Sequence, residues 1–220
     1  MLYIIPTPIG NLGDITERAK ETLAQCDFII AENPGYTKRL LDHLTIKKQV
    51  VQFAEHNELK VLDSIVARLD TETGCIVTDA GTPGISDPGF RLVRACVTLG
   101  IKVTALPGPS AAVTALSASG LPTDKFFFAG FLPKTEFKVL TLIAQAEHCG
   151  ATLVAYESPQ RVSKTCNWIA KKYPKCNVVV ARELTKVHEE YIRGNSVEVA
   201  AELAKRKSLK GEITFLVSFK

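Results

Sequence analysis

A chain of 220 residues suits one large or two small domains, and 46% hydrophobic with 23% charged residues is an ordinary globular balance. The net charge of +4 permits a nucleic-acid partner without demanding one. No apolar run reaches the length of a membrane span, and the N-terminus shows neither a basic leader nor a signal core, so a soluble cytoplasmic protein is expected. The six cysteines (Cys26, Cys75, Cys96, Cys149, Cys166, Cys176) form no C-x-x-C pair, and the four histidines have no ligand spacing. Free thiols, mostly buried, and no metal site are the reading.

In chain order, residues 2–5 read as a short buried strand that runs into P-T-P-I-G-N-L-G at 6–13. Asp14 and Glu17 are spaced as a capping box, with Ala19, Leu23 and Cys26 continuing a helical face. A strand at 27–31, a basic amphipathic helix at 35–44, a strand at 49–53 and a helix at 57–69 follow. An apolar run at 75–77 then opens into residues 79–89, D-A-G-T-P-G-I-S-D-P-G. Ser86-Asp87-Pro88 looks like a helix start with Asp87 as its cap, leading a helix over 88–99. A strand at 102–105 and a helix entered through P-G-P-S at 107–110 complete this half, whose alternation argues for an α/β layer with a largely parallel sheet.

Residues 119–124 break that rhythm, so domains of 1–118 and 119–220 are expected. The second half reads as strands at 125–129, 152–156, 178–182, 189–193 and 212–219, with helices around 139–147, 159–172 and 196–205. Strands here follow one another with fewer helices between, which suits a mixed or antiparallel sheet.

Three loops of the first half, at 6–13, 79–89 and 106–110, each leave a strand and enter a helix through proline and glycine. If their strands are parallel, the loops gather on the carboxyl rim of the sheet, where ligands of open α/β folds bind. A loop as long and glycine-rich as 79–89 exceeds what a simple turn needs. Neither G-x-G-x-x-G nor G-x-x-x-x-G-K-[ST] is present, which disfavours dinucleotide and nucleoside-triphosphate chemistry. G-x-S-x-G and H-E-x-x-H are also missing, which removes the simplest hydrolase readings.

Residues 3–13 (Y-I-I-P-T-P-I-G-N-L-G), 79–89, 107–111 (P-G-P-S-A), 120–126 (G-L-P-T-D-K-F), 130–133 (G-F-L-P), 156–159 (Y-E-S-P) and 182–186 (R-E-L-T-K) occur in one order along nearly the whole chain. Together they resemble the bacterial ribosomal RNA small-subunit methyltransferase I family, within the tetrapyrrole methylase superfamily. The resemblance implies a two-domain tetrapyrrole-methylase-like α/β fold, with a parallel-sheet N-terminal domain, a mixed-sheet C-terminal domain and S-adenosylmethionine in a cleft between them. It implies methylation of a cytidine ribose 2′-hydroxyl in the decoding region of 16S ribosomal RNA, on the small ribosomal subunit, by a homodimer. By the same resemblance Pro8, Asp79, Gly81, Gly84, Ile85, Ser110, Ala111 and Tyr156 would line the cofactor.

The three loops hold no lysine or arginine, as suits a donor whose reactive group is a cationic sulfonium. A base for the acceptor hydroxyl could come from Asp87, Asp124, Glu157, Glu183 or, if its pKa were depressed, Lys186. Of these, Glu157, Glu183 and Lys186 are the catalytic candidates, since Asp87 has a capping role and Asp124 sits at the domain junction. Lys38, Arg39, Arg91, Lys134 and Arg161 are the cations proposed to meet RNA phosphate, whereas the run at 205–207 equally fits a solvated face.

Two stretches depart from the family pattern. Relatives usually continue Ala31-Glu32 with Asp-Thr-Arg, whereas this chain has N-P-G-Y at 33–36. After Pro133 they usually carry a strongly basic run, against K-T-E-F-K at 134–138 here. Two other readings therefore stand beside RNA methylation: a methyltransferase for a tetrapyrrole or other small molecule, and a non-catalytic ribosome-associated protein of the same fold.

Overall fold

The computed structural model describes residues 1–206 and 208–220, so Lys207 of the basic run lies outside the described residues. The chain divides into two compact units, Met1–Ser110 and Ala111–Lys220.

The first unit runs β1 (Leu2–Ile4), a 3-10 turn (Leu12–Asp14), α1 (Glu17–Gln25), β2 (Phe28–Ala31), α2 (Pro34–His43), β3 (Gln49–Gln52), α3 (Glu58–Thr71), β4 (Gly74–Val77), α4 (Phe90–Thr98) and β5 (Val103–Ala105). Its five strands lie in the order β3-β2-β4-β1-β5, every pairing parallel. The uninterrupted apolar runs of β2 and β4 follow from burial on both faces. On one face Ala19, Leu23, Leu40 and Leu41 of α1 and α2 pack on Ile29, Ala31, Cys75 and Val77. On the other, Ile65, Leu69, Leu92 and Cys96 of α3 and α4 pack on Leu2, Phe28, Ile30 and Ile76.

Two expected helix starts move. Thr16, not Asp14, caps α1 by accepting the Ala19 N–H at 3.1 Å, and Asp14 belongs to the preceding 3-10 turn. Helix α4 begins at Phe90 behind Gly89, whose φ of 144° only glycine adopts freely, so Asp87 caps nothing and is released for another role.

The second unit runs α5 (Ala111–Ser119), β6 (Phe126–Phe131), α6 (Glu136–His148), β7 (Thr152–Glu157), α7 (Val162–Lys172), β8 (Asn177–Arg182), β9 (Glu190–Asn195), α8 (Ser196–Ala204) and β10 (Ile213–Ser218). The sheet is mixed, ordered β6-β7-β10-β8-β9, with β6 and β7 parallel and the remaining pairs antiparallel. Its core joins Val139 and Ile143 of α6, Cys166 and Ile169 of α7, and Val199 and Leu203 of α8 to the inward residues of the strands. Helix α5, which the sequence rhythm groups with the first half, packs on β7, β8 and β10. Arg193 of β9 holds its end by donating to the carbonyls of Ala118 (2.7 Å) and Ser119 (3.1 Å), which have no acceptor role left within the helix.

Among the described residues all six cysteines are free, five of them buried and Cys149 exposed. No helix is long and apolar enough to cross a membrane, and no His, Cys, Asp and Glu cluster suits a metal ion, again among the described residues.

Candidate active site

Right-handed crossovers carry the connections of β1 and β2 to one face of the first sheet and those of β3 and β4 to the other. The direction of exit therefore reverses on both sides of β4, which makes its carboxyl end a topological switch point. The three proline–glycine loops meet there. The backbones of Thr7 and Gly81 exchange N–H···O bonds of 2.9 and 3.0 Å, joining the loop after β1 to the loop after β4. The Thr82 hydroxyl donates to the Pro109 carbonyl at 3.1 Å, joining the loop after β4 to the loop after β5. Gly108 allows the closest approach: a Cβ there would lie 2.7 Å from Pro6 Cβ. Gly81 turns with φ at +86°, a conformation other residues avoid.

Beneath this rim a cavity of about 150 Å³ is bounded by Thr7, Pro8, Asn11, Tyr36, Thr37 and Asp79. Two of its lining residues, Thr37 and Asp79, each carry a buried side-chain oxygen, Oγ1 and Oδ1, without a hydrogen-bond partner. A larger hollow of about 640 Å³ is an open groove between α3 and α4, lined by Leu59, Phe90 and Leu99 with Arg91 and Arg94. That groove contains neither unpartnered atom and none of the rim residues, so the smaller cavity is the better candidate.

The charge of Glu32 after β2 acts on Asp79 after β4 and on Asp87 in the long loop. Burial first, and the Glu32 charge second, push the Asp87 carboxyl up to about 6. The Thr78 hydroxyl opposes that shift and also lies 3.3 Å from Glu32 Oε2. Burial and the Glu32 charge likewise raise the Asp79 pKa, against a hydrogen bond with the Asn33 side chain. Asn33 is also the cap of α2, accepting the Tyr36 N–H at 3.3 Å. The altered stretch 33–36 thus starts a well-capped helix and brings Tyr36 and Thr37 to the cavity. Glu32, Thr37 and Thr78 escape a reading by motif. The available signal was spacing, since Thr37 lies three and four residues before Leu40 and Leu41 on the inward face of α2.

The other cofactor residues expected from sequence divide as follows. Pro8, Asp79, Gly81, Gly84, Ile85 and Ser110 all lie on the rim loops of the first unit, with Ile85 47% exposed. Ala111 is the first residue of α5. In the second unit Tyr156 stands edge-on to Phe128 and Phe131, with ring centroids 5.2 and 5.4 Å away. A register shift in β6 between Phe128 and Phe131 turns the Phe131 ring outward, 64% exposed.

The three catalytic candidates are not brought together. Glu157 is sealed in the second core, where it accepts from Arg161 (2.5 Å), the Ser158 N–H (2.7 Å) and the Thr165 hydroxyl (2.7 Å). Glu183 and Lys186 are paired at 2.7 Å, and Lys186 also reaches Glu212 at 3.0 Å. Burial alone would lower the Lys186 pKa, but hydrogen bonds to Glu183 and Glu212 outweigh it and raise it, the opposite of what an amine base needs. Hydrogen bonding to Lys186 holds Glu183 below its usual value.

Of the proposed RNA cations, Lys38 and Arg39 are exposed on α2 beside Thr37, and Lys134 is exposed before α6. Arg91 is engaged by Glu58 at 2.5 Å. Arg161 turns inward to Glu157 and the Leu132 carbonyl (3.1 Å).

Residues 1–200 match the family model of Tetrapyrrole (Corrin/Porphyrin) Methylases. The solved structure of diphthine synthase has the same fold, with a TM-score of 0.78 at 13% identity over 99% of this chain and 89% of that one. The chain is 44% identical over 219 residues to Ribosomal RNA small subunit methyltransferase I of Hydrogenobaculum sp., spanning 99% of this chain and 95% of that protein. Its identity to the protein of that name from Thermotoga maritima is 42% over 220 residues, covering 100% and 98% of the two chains. Against the one from Halalkalibacterium halodurans it is 41% over 220 residues, or 98% of this chain and 75% of that protein. The chain belongs to the tetrapyrrole methylases and, within them, to the ribosomal RNA small subunit methyltransferase I family.

Proposed function

We propose that the protein is an S-adenosylmethionine-dependent methyltransferase acting on the RNA of the small ribosomal subunit, at the ribose 2′-hydroxyl of a cytidine in the decoding region. The observation that carries the chemistry is the joined rim of three loops at the switch point of the first sheet, free of lysine and arginine. The names of relatives more than 40% identical along the whole chain support the RNA acceptor.

When bound, the donor supplies an electrophilic methyl group on a sulfonium cation. The residues present fit such a group. No rim side chain repels a cation, and positive charge nearby would favour the ionised carboxylates of Asp79 and Asp87, whose pKa values burial and the Glu32 charge raise. Backbone N–H groups of the glycine-rich loops suit the donor's carboxylate and adenine edge, and Pro8, Asp79, Gly81, Gly84, Ile85, Ser110, Ala111 and Tyr156 are the residues assigned to it. Alignment of the acceptor supplies most of the acceleration in this reading, with an upper bound of roughly 7–11 kcal/mol. Lys38, Arg39 and Lys134 are the exposed cations assigned to phosphate. A homodimer in the cytoplasm completes the reading.

The test is to incubate the protein with labelled S-adenosylmethionine and small subunits lacking the modification, then map the label. Label on one cytidine ribose is expected, and donor binding without RNA labelling overturns the acceptor assignment. The aromatic group around Tyr156 is the feature that a small-molecule methyltransferase would share. A protein that binds no donor in calorimetry is instead a non-catalytic relative.

A further inference from the structure

We propose that the cavity bounded by the loop after β1, α2 and the end of β4 seats a ribose of the acceptor, held by the Thr37 hydroxyl and the Asp79 carboxylate. This inference rests on the RNA-methyltransferase reading and assigns the sugar subsite that reading leaves open.

Thr37 is 3% exposed and its Oγ1 has no partner. Three helical threonines elsewhere in this chain satisfy their hydroxyls by donating to the carbonyl four residues back. Thr22 does so to Arg18 (2.7 Å), Thr98 to Arg94 (2.9 Å) and Thr141 to Phe137 (2.8 Å). For Thr37 that carbonyl is Asn33, which takes the Thr37 backbone N–H at 3.0 Å, while the hydroxyl of this cavity-lining residue is left unbonded. Buried polar groups without a partner are rare, and each calls for an explanation. Among the described residues only three such side-chain atoms occur, on Thr37, Asp79 and Thr185, and the first two line this one cavity.

Size and charge define the occupant. A volume of about 150 Å³ leaves room for a sugar ring. No lysine or arginine lines the cavity, so a phosphate does not belong in it. A neutral polyol does: one hydroxyl donates to the Asp79 carboxylate, and another exchanges a hydrogen bond with Thr37. Lys38 and Arg39 follow Thr37 on the exposed side of the helix, where the flanking phosphates of a seated ribose would emerge. Tyr36, 46% exposed, lies at the cavity with a ring available to the attached base.

The experiment compares wild type with Thr37→Val, which keeps shape and removes the hydroxyl, and with Thr37→Ser, which restores it. Expected for Thr37→Val are an unchanged melting temperature, S-adenosylmethionine affinity within about twofold, and kcat/KM for unmethylated small subunits reduced about tenfold, the scale of one lost hydrogen bond. Thr37→Ser should stay within about twofold of wild type. Equal kcat/KM for wild type and Thr37→Val overturns the subsite while leaving the methyltransferase reading intact. If the wild type labels no RNA, that reading fails, and the subsite is judged by NMR titration of the donor-bound protein with cytidine and with 2′,3′-dideoxycytidine. Weaker binding of the dideoxy compound by wild type, but not by Thr37→Val, supports the sugar contact. No difference between the two nucleosides overturns it.

Discussion

Thr7 and Gly81 are joined by a reciprocal pair of backbone hydrogen bonds, of 2.9 and 3.0 Å, although 74 positions separate them in the chain. This short antiparallel contact closes the switch point of a parallel sheet. It converts two loops that are separate in sequence into one wall of the candidate site, to which Thr82 and Pro109 fasten a third.

The close approach of Gly108 to Pro6 should make that wall intolerant of a side chain. Gly108→Ala places a Cβ 2.7 Å from Pro6 Cβ, so the two backbones must part. A loss of about 1–3 kcal/mol is expected, with weakened S-adenosylmethionine binding. Urea denaturation and calorimetry measure the two effects, and a Gly108→Ala protein that retains both would show the contact to be slack.

Asp87 makes stability depend on pH. Its carboxyl is pushed up to about 6 in the folded protein from an ordinary value of 3.8. A raised carboxylate pKa means that the folded state holds the proton more tightly than the unfolded chain does. The contribution is therefore fully present below about pH 3.8 and is lost as pH rises through about 6. Asp87→Asn should raise the melting temperature at pH 7.5 and leave it nearly unchanged at pH 4. Equal gains at both pH values would remove charge as the cause.

Arg161 should prove structural. Its Glu157 partner has a side chain 0% exposed, so Arg161→Met leaves a buried carboxylate without its cation. Losses on breaking buried pairs run to roughly 3–5 kcal/mol, and the remaining bonds from Ser158 and Thr165 favour the lower end. Thermal unfolding should register the change, while the salt dependence of RNA binding should not.

Lys38 and Arg39 should behave in the opposite way. Replacing either with Gln leaves stability nearly unchanged and makes log K for RNA less steep against log salt, by roughly 0.7–0.9 for each phosphate that is no longer neutralised. An unchanged slope in both variants would move the RNA-binding surface away from α2.

Much of this was readable before any coordinates. The alternation of strands and helices in the first half, the three loops and the mixed character of the second sheet all follow from local pattern, because burial on one or both faces leaves its period in the sequence. Local signals misled where two similar ones competed. Asp14 and Asp87 each looked like a cap, yet Thr16 and Gly89 hold those positions, since a cap is decided by which backbone turns at the helix end. Asp87 instead comes under the influence of Glu32 and Asp79, which no spacing rule connects.

The sequence by itself determined the class of the protein, the loops that build the rim of its first sheet and the absence of cations within them, because glycine, proline and charge act locally. Only the tertiary structure decided how those groups meet. Parallel pairing in the order β3-β2-β4-β1-β5 brings Thr7 to Gly81, and the capped start of α2 carries Thr37 to Asp79 around one cavity. Burial then gives each group its role. It seals Glu157 inside an ion pair and leaves the Thr37 hydroxyl without a partner, whereas hydrogen bonds to Glu183 and Glu212 outweigh burial and raise the Lys186 pKa.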